Sequence, residues 1–163
     1  MKRRIAAALA LACILLSACS GAQQGETAVF SFSGENEQFA IFNGVVILAD
    51  EREVFDGGDL KVVCEEEFSN IAFYSGTFYT MKNGERRTIL SNSVADMTGG
   101  ALNINGDLGR ISGESCISGG KIENMEEFKN NLWFELNTTD RNGNKNTYQL
   151  ELVLTEITGS ANA

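Results

Sequence analysis

The chain has no proline and no histidine, one tryptophan and four cysteines in 163 residues. The missing histidine excludes a Ser-His-Asp triad, a Cys-His pair, a His-ligated zinc and a histidine pH switch. Long segments of 3.6-residue periodicity are also missing, which argues against a doubly wound fold and against the two α/β lobes of a solute-binding protein. Without proline, sheet edges need another guard, and charged residues such as Glu65-Glu66-Glu67 are expected to supply it. Positive charge is scarce, with 13 Lys plus Arg against 22 Asp plus Glu. The 43% hydrophobic share is ordinary for a folded chain, and the length suits one domain.

The strongest positive signal lies at the N-terminus. Lys2, Arg3 and Arg4 form a basic start, and an apolar run follows from Ile5 to Leu16. Those 12 residues fall short of the roughly 20 that span a bilayer, so the stretch reads as a secretion signal. Leu16-Ser17-Ala18-Cys19 resembles the lipobox of bacterial lipoproteins: an aliphatic residue, two small residues and a cysteine. The resemblance implies cleavage before Cys19, a diacylglyceryl thioether on its sulfur, and acyl chains of the palmitate type. It further implies a lipid anchor at the outer face of the cytoplasmic membrane, or at an outer membrane if the host has one. Two or more chains hold a protein firmly where one does not.

The expected organisation is a signal peptide over 1–18, the lipidated Cys19 with a polar tether to residue 27, one β domain over 28–158, and a tail over 159–163. Removing residues 1–18 deletes three bases and no acid, leaving 10 bases against 22 acids and a charge of −12. Such a surface repels phosphate backbones, so no nucleic-acid partner is expected. It repels anionic headgroups too, which leaves the lipid as the membrane contact.

Beyond the tether the dominant period is two. Leu132, Phe134 and Leu136 alternate with Trp133, Glu135 and Asn137; Tyr148, Leu150, Leu152 and Leu154 alternate with polar neighbours. These runs flank Asp140-Arg141-Asn142-Gly143-Asn144 and predict a hairpin. Lys82-Asn83-Gly84-Glu85 predicts a second hairpin, joining 71–81 to 86–91. Asn43-Gly44 inside Phe39–Leu48 and the Asp56-Gly57-Gly58-Asp59 run mark bulges or turns. Only Asn124–Asn131 suggests a helix. The fold class is all-β: an antiparallel β-sandwich or small barrel with at most one short helix.

Candidate sites are few. Processing leaves Cys64 and Cys116, either as two separate buried thiols or as a disulfide. A bridge closes a 52-residue loop and is worth about 4 kcal/mol by chain entropy. The Asp140–Asn146 segment superficially matches a calcium loop, but Lys145 stands where glycine is needed and turn chemistry explains it better. Glu126 and Glu127 are a generic acid pair, as would serve glycoside hydrolysis. Trp133 points away from the apolar side of its strand and is the best single contact candidate. Tyr74 and Phe78 share one face of theirs, and if that face is exposed they form a platform for a sugar ring or peptide. The mature part also resembles uncharacterised lipoproteins of Firmicutes in runs such as 78–82 and 88–93, a resemblance that implies no activity and no site residues. No metal, cofactor or catalytic residue is expected. The reading is a membrane-anchored, extracytoplasmic binding or interaction module for a protein, peptide or glycan, and not an enzyme. The alternatives are a carboxylate hydrolase of envelope polymers or a glycan-binding domain.

Overall fold

A computed structural model describes residues 27–49, 52–114, 116–117 and 129–157. Ten strands run through these residues. They are β1 (Ala28–Glu35), β2 (Phe39–Ala49), β3 (Arg52–Asp56), β4 (Asp59–Val62) and β5 (Ile71–Lys82), then β6 (Glu85–Ala95), β7 (Gly106–Asp107), β8 (Arg110–Gly113), β9 (Leu132–Asp140) and β10 (Lys145–Glu156). They form one sheet in the order β6-β5-β9-β10-β1-β2-β3-β8, with β4 placed between β2 and β7. Each pairing is antiparallel, and the sheet curls into a nearly closed barrel. The all-β antiparallel expectation holds, as the barrel rather than the sandwich.

Alternation sets the two faces of each strand. In β9, Leu132, Phe134 and Leu136 are fully buried, whereas Trp133, Glu135 and Asn137 lie on the outer face. The turns follow equally local rules. Asn83 (φ 53°) and Gly84 (φ 81°) both take left-handed backbone, as a two-residue hairpin turn requires. Asp140 builds the other hairpin: its carboxylate accepts the Asn142 and Asn144 backbone N–H groups at 2.8 Å each. The Asn144 side chain donates to the same carboxylate at 2.8 Å. These bonds, led by the Asn144 side chain, hold the Asp140 carboxyl below its usual range. The carboxylate works for the turn, as the turn reading anticipates.

Four of the strands are really two. Val45 pairs with Asp56 and Phe42 with Asp59 in one unbroken register, so β3 and β4 are a single strand interrupted at Gly57-Gly58. Asp56 with Arg110 and Asp59 with Asp107 show the same for β7 and β8, interrupted at Leu108-Gly109. Opposite both breaks, β2 carries Asn43-Gly44, where its register against β1 shifts by one residue. Asn43, Gly58 and Gly109 all have positive φ (61°, 69° and 88°). The Gly57 N–H donates to the Gly109 carbonyl and the Leu108 N–H to the Gly58 carbonyl, both at 2.8 Å. One extra residue is thus carried in step across three neighbouring strands as a crease. It switches facing: Phe39 and Ile41 point inward before it, Val46 and Leu48 after it.

The crease makes room for an aromatic core. A Cβ at Gly44 would lie 2.1 Å from the Phe32 ring, and one at Gly57 would lie 2.8 Å from the Phe78 ring. Phe32, Phe55 and Phe78 pack with ring centres 5.0–5.8 Å apart. Phe78 continues to Phe134 at 4.8 Å, and Phe134 to Phe39 at 5.9 Å. Phe39 meets Tyr148, and Tyr148 meets Phe68 at 5.3 Å. Side chains fill the barrel, as expected for about eight strand positions. Phe68 comes from a 3-10 turn, Glu65–Phe68, so the three glutamates lie in the turn between β4 and β5 and not on an edge strand. Most of the Asn124–Asn131 helix expectation lies outside the described residues.

Gly58 and Gly84 separate backbone strain from crowding. A Cβ at Gly58 would sit 2.2 Å from the Phe42 carbonyl oxygen, whereas one at Gly84 meets nothing within 4 Å. Both have positive φ. Gly84→Ala is expected to cost about 1–2 kcal/mol from backbone strain alone. Gly58→Ala is expected to cost about 1–3 kcal/mol more from overpacking. Urea unfolding of the two variants checks the order.

Candidate functional site

Counting β3–β4 and β7–β8 as single strands, the sheet has eight positions, each antiparallel to the next. The two ends of the order, β6 and β7–β8, therefore run antiparallel to each other. Backbone ladder bonds do not join them among the described residues. The Asn92 side-chain amide of β6 instead donates to the Leu108 carbonyl at the crease. A Cβ at Gly109 would fall 2.8 Å from the Asn92 amide nitrogen, so glycine there leaves space for the latch. Beyond the latch the two edges part. The 96–105 connection joins them again at the barrel end, which makes a closed ring around a gap.

That connection is tied down. The Asp96 carboxylate accepts the Thr98 N–H and hydroxyl, and the Arg141 guanidinium, at 2.7–2.8 Å. The Thr98 bonds first, and the Arg141 charge after them, hold the Asp96 carboxyl below its usual range. Arg141 also donates to the Gly100 carbonyl, and the Leu102 N–H donates to the Ile71 carbonyl at 2.9 Å.

The ring encloses a cavity of about 270 Å³. Gly76, Leu136, Leu108 and Ile104 make its apolar floor; Tyr74, Asn92, Ser93 and Asp107 bring polar groups to it. Gly76 keeps the floor low, because a Cβ there would press on Phe134 at 2.9 Å. Burial alone raises the Tyr74 hydroxyl pKa above 10, so Tyr74 stays a neutral donor and acceptor.

The sequence candidates separate. Tyr74 joins the cavity. Phe78 does share its facing, but that face is the barrel interior: Phe78 is 1% exposed, touches three other phenylalanine rings, and is no surface platform. Trp133 lies on the opposite, outer face of β9, paired with Tyr79 and Glu151. Trp133 and Tyr74 therefore do not form one surface. Cys64 and Cys116 stand as free, half-buried thiols. The Cys116 thiol donates to the Glu53 carbonyl at 3.5 Å. Burial first, then the Glu53 charge, pushes its pKa up, which suits a packing thiol and not a nucleophile. Glu53 accepts the Ile117 N–H at 2.6 Å. Cys19, Glu126 and Glu127 lie outside the described residues. No group of three or more His, Cys, Asp or Glu among the described residues is placed to hold a metal.

Sequence reading missed the outer-face network beside Trp133. Arg86 lies 3.9 Å over the Tyr79 ring and pairs with Glu135 at 2.8 Å. Asn137 and Gln149 donate to the same carboxylate at 3.0 and 3.1 Å. Glu135 is drawn upward by partial burial, but the bonds from Asn137, Gln149 and Arg86 outweigh that and leave its pKa below the ordinary 4.5. The asparagine latch was equally hidden, since only the closed sheet brings residue 92 to residue 108. Comparison with protein-family models, curated proteins and solved structures returned no match.

Two outcomes check this geometry. A carboxyl whose folded pKa is depressed stabilises the fold above its unfolded pKa, and that contribution fades as pH falls through the folded value. Glu135→Gln should therefore be less stable than the parent at pH 7, and the two should converge toward pH 3, read from urea midpoints across pH. Asn92→Ala should lose about 0.5–1.5 kcal/mol, the net worth of one hydrogen bond, and speed hydrogen exchange in β6 before β9.

Proposed function

We propose that the protein is a lipid-anchored, extracytoplasmic binding module whose working surface is the gap between β6 and β7. The observation that carries the reading is sidedness. β1 begins at Ala28, beside the end of β10, since Phe30 pairs with Glu156. Following the antiparallel order from there, Ser93, Val94 and Asp107 fall at the other end of the barrel. They also fall on the opposite wall, because β1 and β10 are the middle of the order and the gap is its two ends. A tether attached before Ala28 thus leaves from the end and the side remote from the cavity. Anchored through Cys19, the domain holds that cavity outward, and confinement near a surface raises its effective concentration for a partner.

The hydrolase alternative draws less support. Three of the acids that the structure describes have structural tasks: Asp56 accepts the Gly58 N–H at 3.1 Å, Asp59 accepts the Asn43 side chain at 3.2 Å, and Asp140 builds its turn. A pair of carboxylates with opposed pKa shifts facing one cleft would favour it instead.

Cys19→Ala tests the anchor. Cells fed a radiolabelled fatty acid should label the parent protein and not the variant, and the variant should leave the membrane fraction. A variant that stays membrane-bound and labelled overturns the lipobox reading.

A further inference from the structure

The cavity between β6 and β7 has its own chemistry. We propose that it binds a small amine with an apolar ring or short chain, the body on the floor and the ammonium against Asp107. The inference rests on the binding-module reading and names the ligand class for the same gap.

Size comes first. An engineered apolar cavity of about 150 Å³ accepts benzene. At about 270 Å³ this one takes a ring and a short arm. Access follows from the flanking edges, since Ser93 and Asp107 are exposed and Val94 is 39% exposed. Closure follows from the ring of chain: the Asn92 latch stands at one side and the pinned 96–105 connection at the other. An extended peptide therefore cannot run through as an added strand, whereas a compact ligand fits.

Polarity decides the head group. Among the described residues, Asp107 is the only charged one lining the cavity. One of its oxygens accepts the Gly109 N–H, which fixes the carboxylate in place and leaves the other oxygen for a ligand. Across the gap stands the half-buried Tyr74, whose hydroxyl pKa is raised by burial. The chain's net charge of −9 adds long-range attraction for cations and repulsion for anions. The floor residues Leu108, Leu136 and Ile104 offer the apolar counterpart for the ligand body.

Three probes of one shape test this: 2-phenylethylamine, 2-phenylethanol and phenylacetate, titrated into the purified full-length protein in detergent and followed by amide NMR. The amine should give saturable shifts centred on Ser93, Val94, Ile104 and Asp107. The alcohol should bind about three- to fivefold more weakly, the worth of one solvent-facing ion pair, and the acid more weakly still. Asp107→Asn keeps an acceptor for the Gly109 N–H, so the fold is retained, and should bring the amine to the affinity of the alcohol. No saturable shift at these residues, equal affinities for the three probes, or an amine preference that survives Asp107→Asn overturns the proposal. The anchor is judged separately by fractionation: amine binding with a failed Cys19 test removes the tether and leaves the site, and the reverse result removes the site and leaves the tether.

Discussion

The structure depends on the crease shared by β2, β3–β4 and β7–β8. Seven buried phenylalanine rings have to share the core of a barrel only about eight strands around. Glycine at 44 and 57 gives the Phe32 and Phe78 rings the volume a Cβ would occupy. The inserted residue then turns the strands so that both halves of β2 face the same core. Were the extra residue present in β2 alone, its ladder with β3 or β4 would slip and put alternate side chains on the wrong face. Carrying it across three strands keeps their pairings with one another in register and confines the shift to the β1–β2 pair. The same crease sets the gap, because it places the Leu108 carbonyl where Asn92 can take it. Core packing and the candidate site are thus two results of one constraint.

Much of the fold was legible from sequence because its rules are local. The alternation in 132–136 and 148–154 gives the β9–β10 faces directly, and Asn83-Gly84 and Asp140–Asn144 give the hairpins. Asn43-Gly44 reads as a bulge for the same reason. What local rules cannot show is that Gly57-Gly58 continues a strand where a turn reverses one. Deciding that needs the register of β2 on the other side. The placing of Glu65-Glu66-Glu67 in a 3-10 turn is similarly non-local, because that turn is held by Phe68 meeting Tyr148.

The site was less legible, and the reasons are physical. Periodicity predicts that Tyr74 and Phe78 share a face but not which face is inside, since both are large aromatic residues suited to either. Gly76 between them is buried under Phe134 and marks that face as interior, a signal visible only beside its neighbour. Asn92 and Asp107 are ordinary polar residues in sequence. They acquire meaning from the place where the sheet fails to close. Trp133 was rightly read as outward relative to Leu132 and Phe134, but its surroundings form a charged ladder with Arg86 and Glu135 rather than an extension of the Tyr74 surface.

The pairing of β1 with β10 bears on how such a chain reaches its folded state. The first and last strands sit side by side in the middle of the sheet, with Ser33 against Val153 and Phe30 against Glu156. A chain delivered from its N-terminus has β1 early and has no neighbour for one of its edges until the last strand arrives. The β1–β4 half and the β5–β6 hairpin can form from contacts close in sequence, but the sheet stays in two pieces until β10 has been synthesised. The barrel consequently cannot close around its core until the last strand is available.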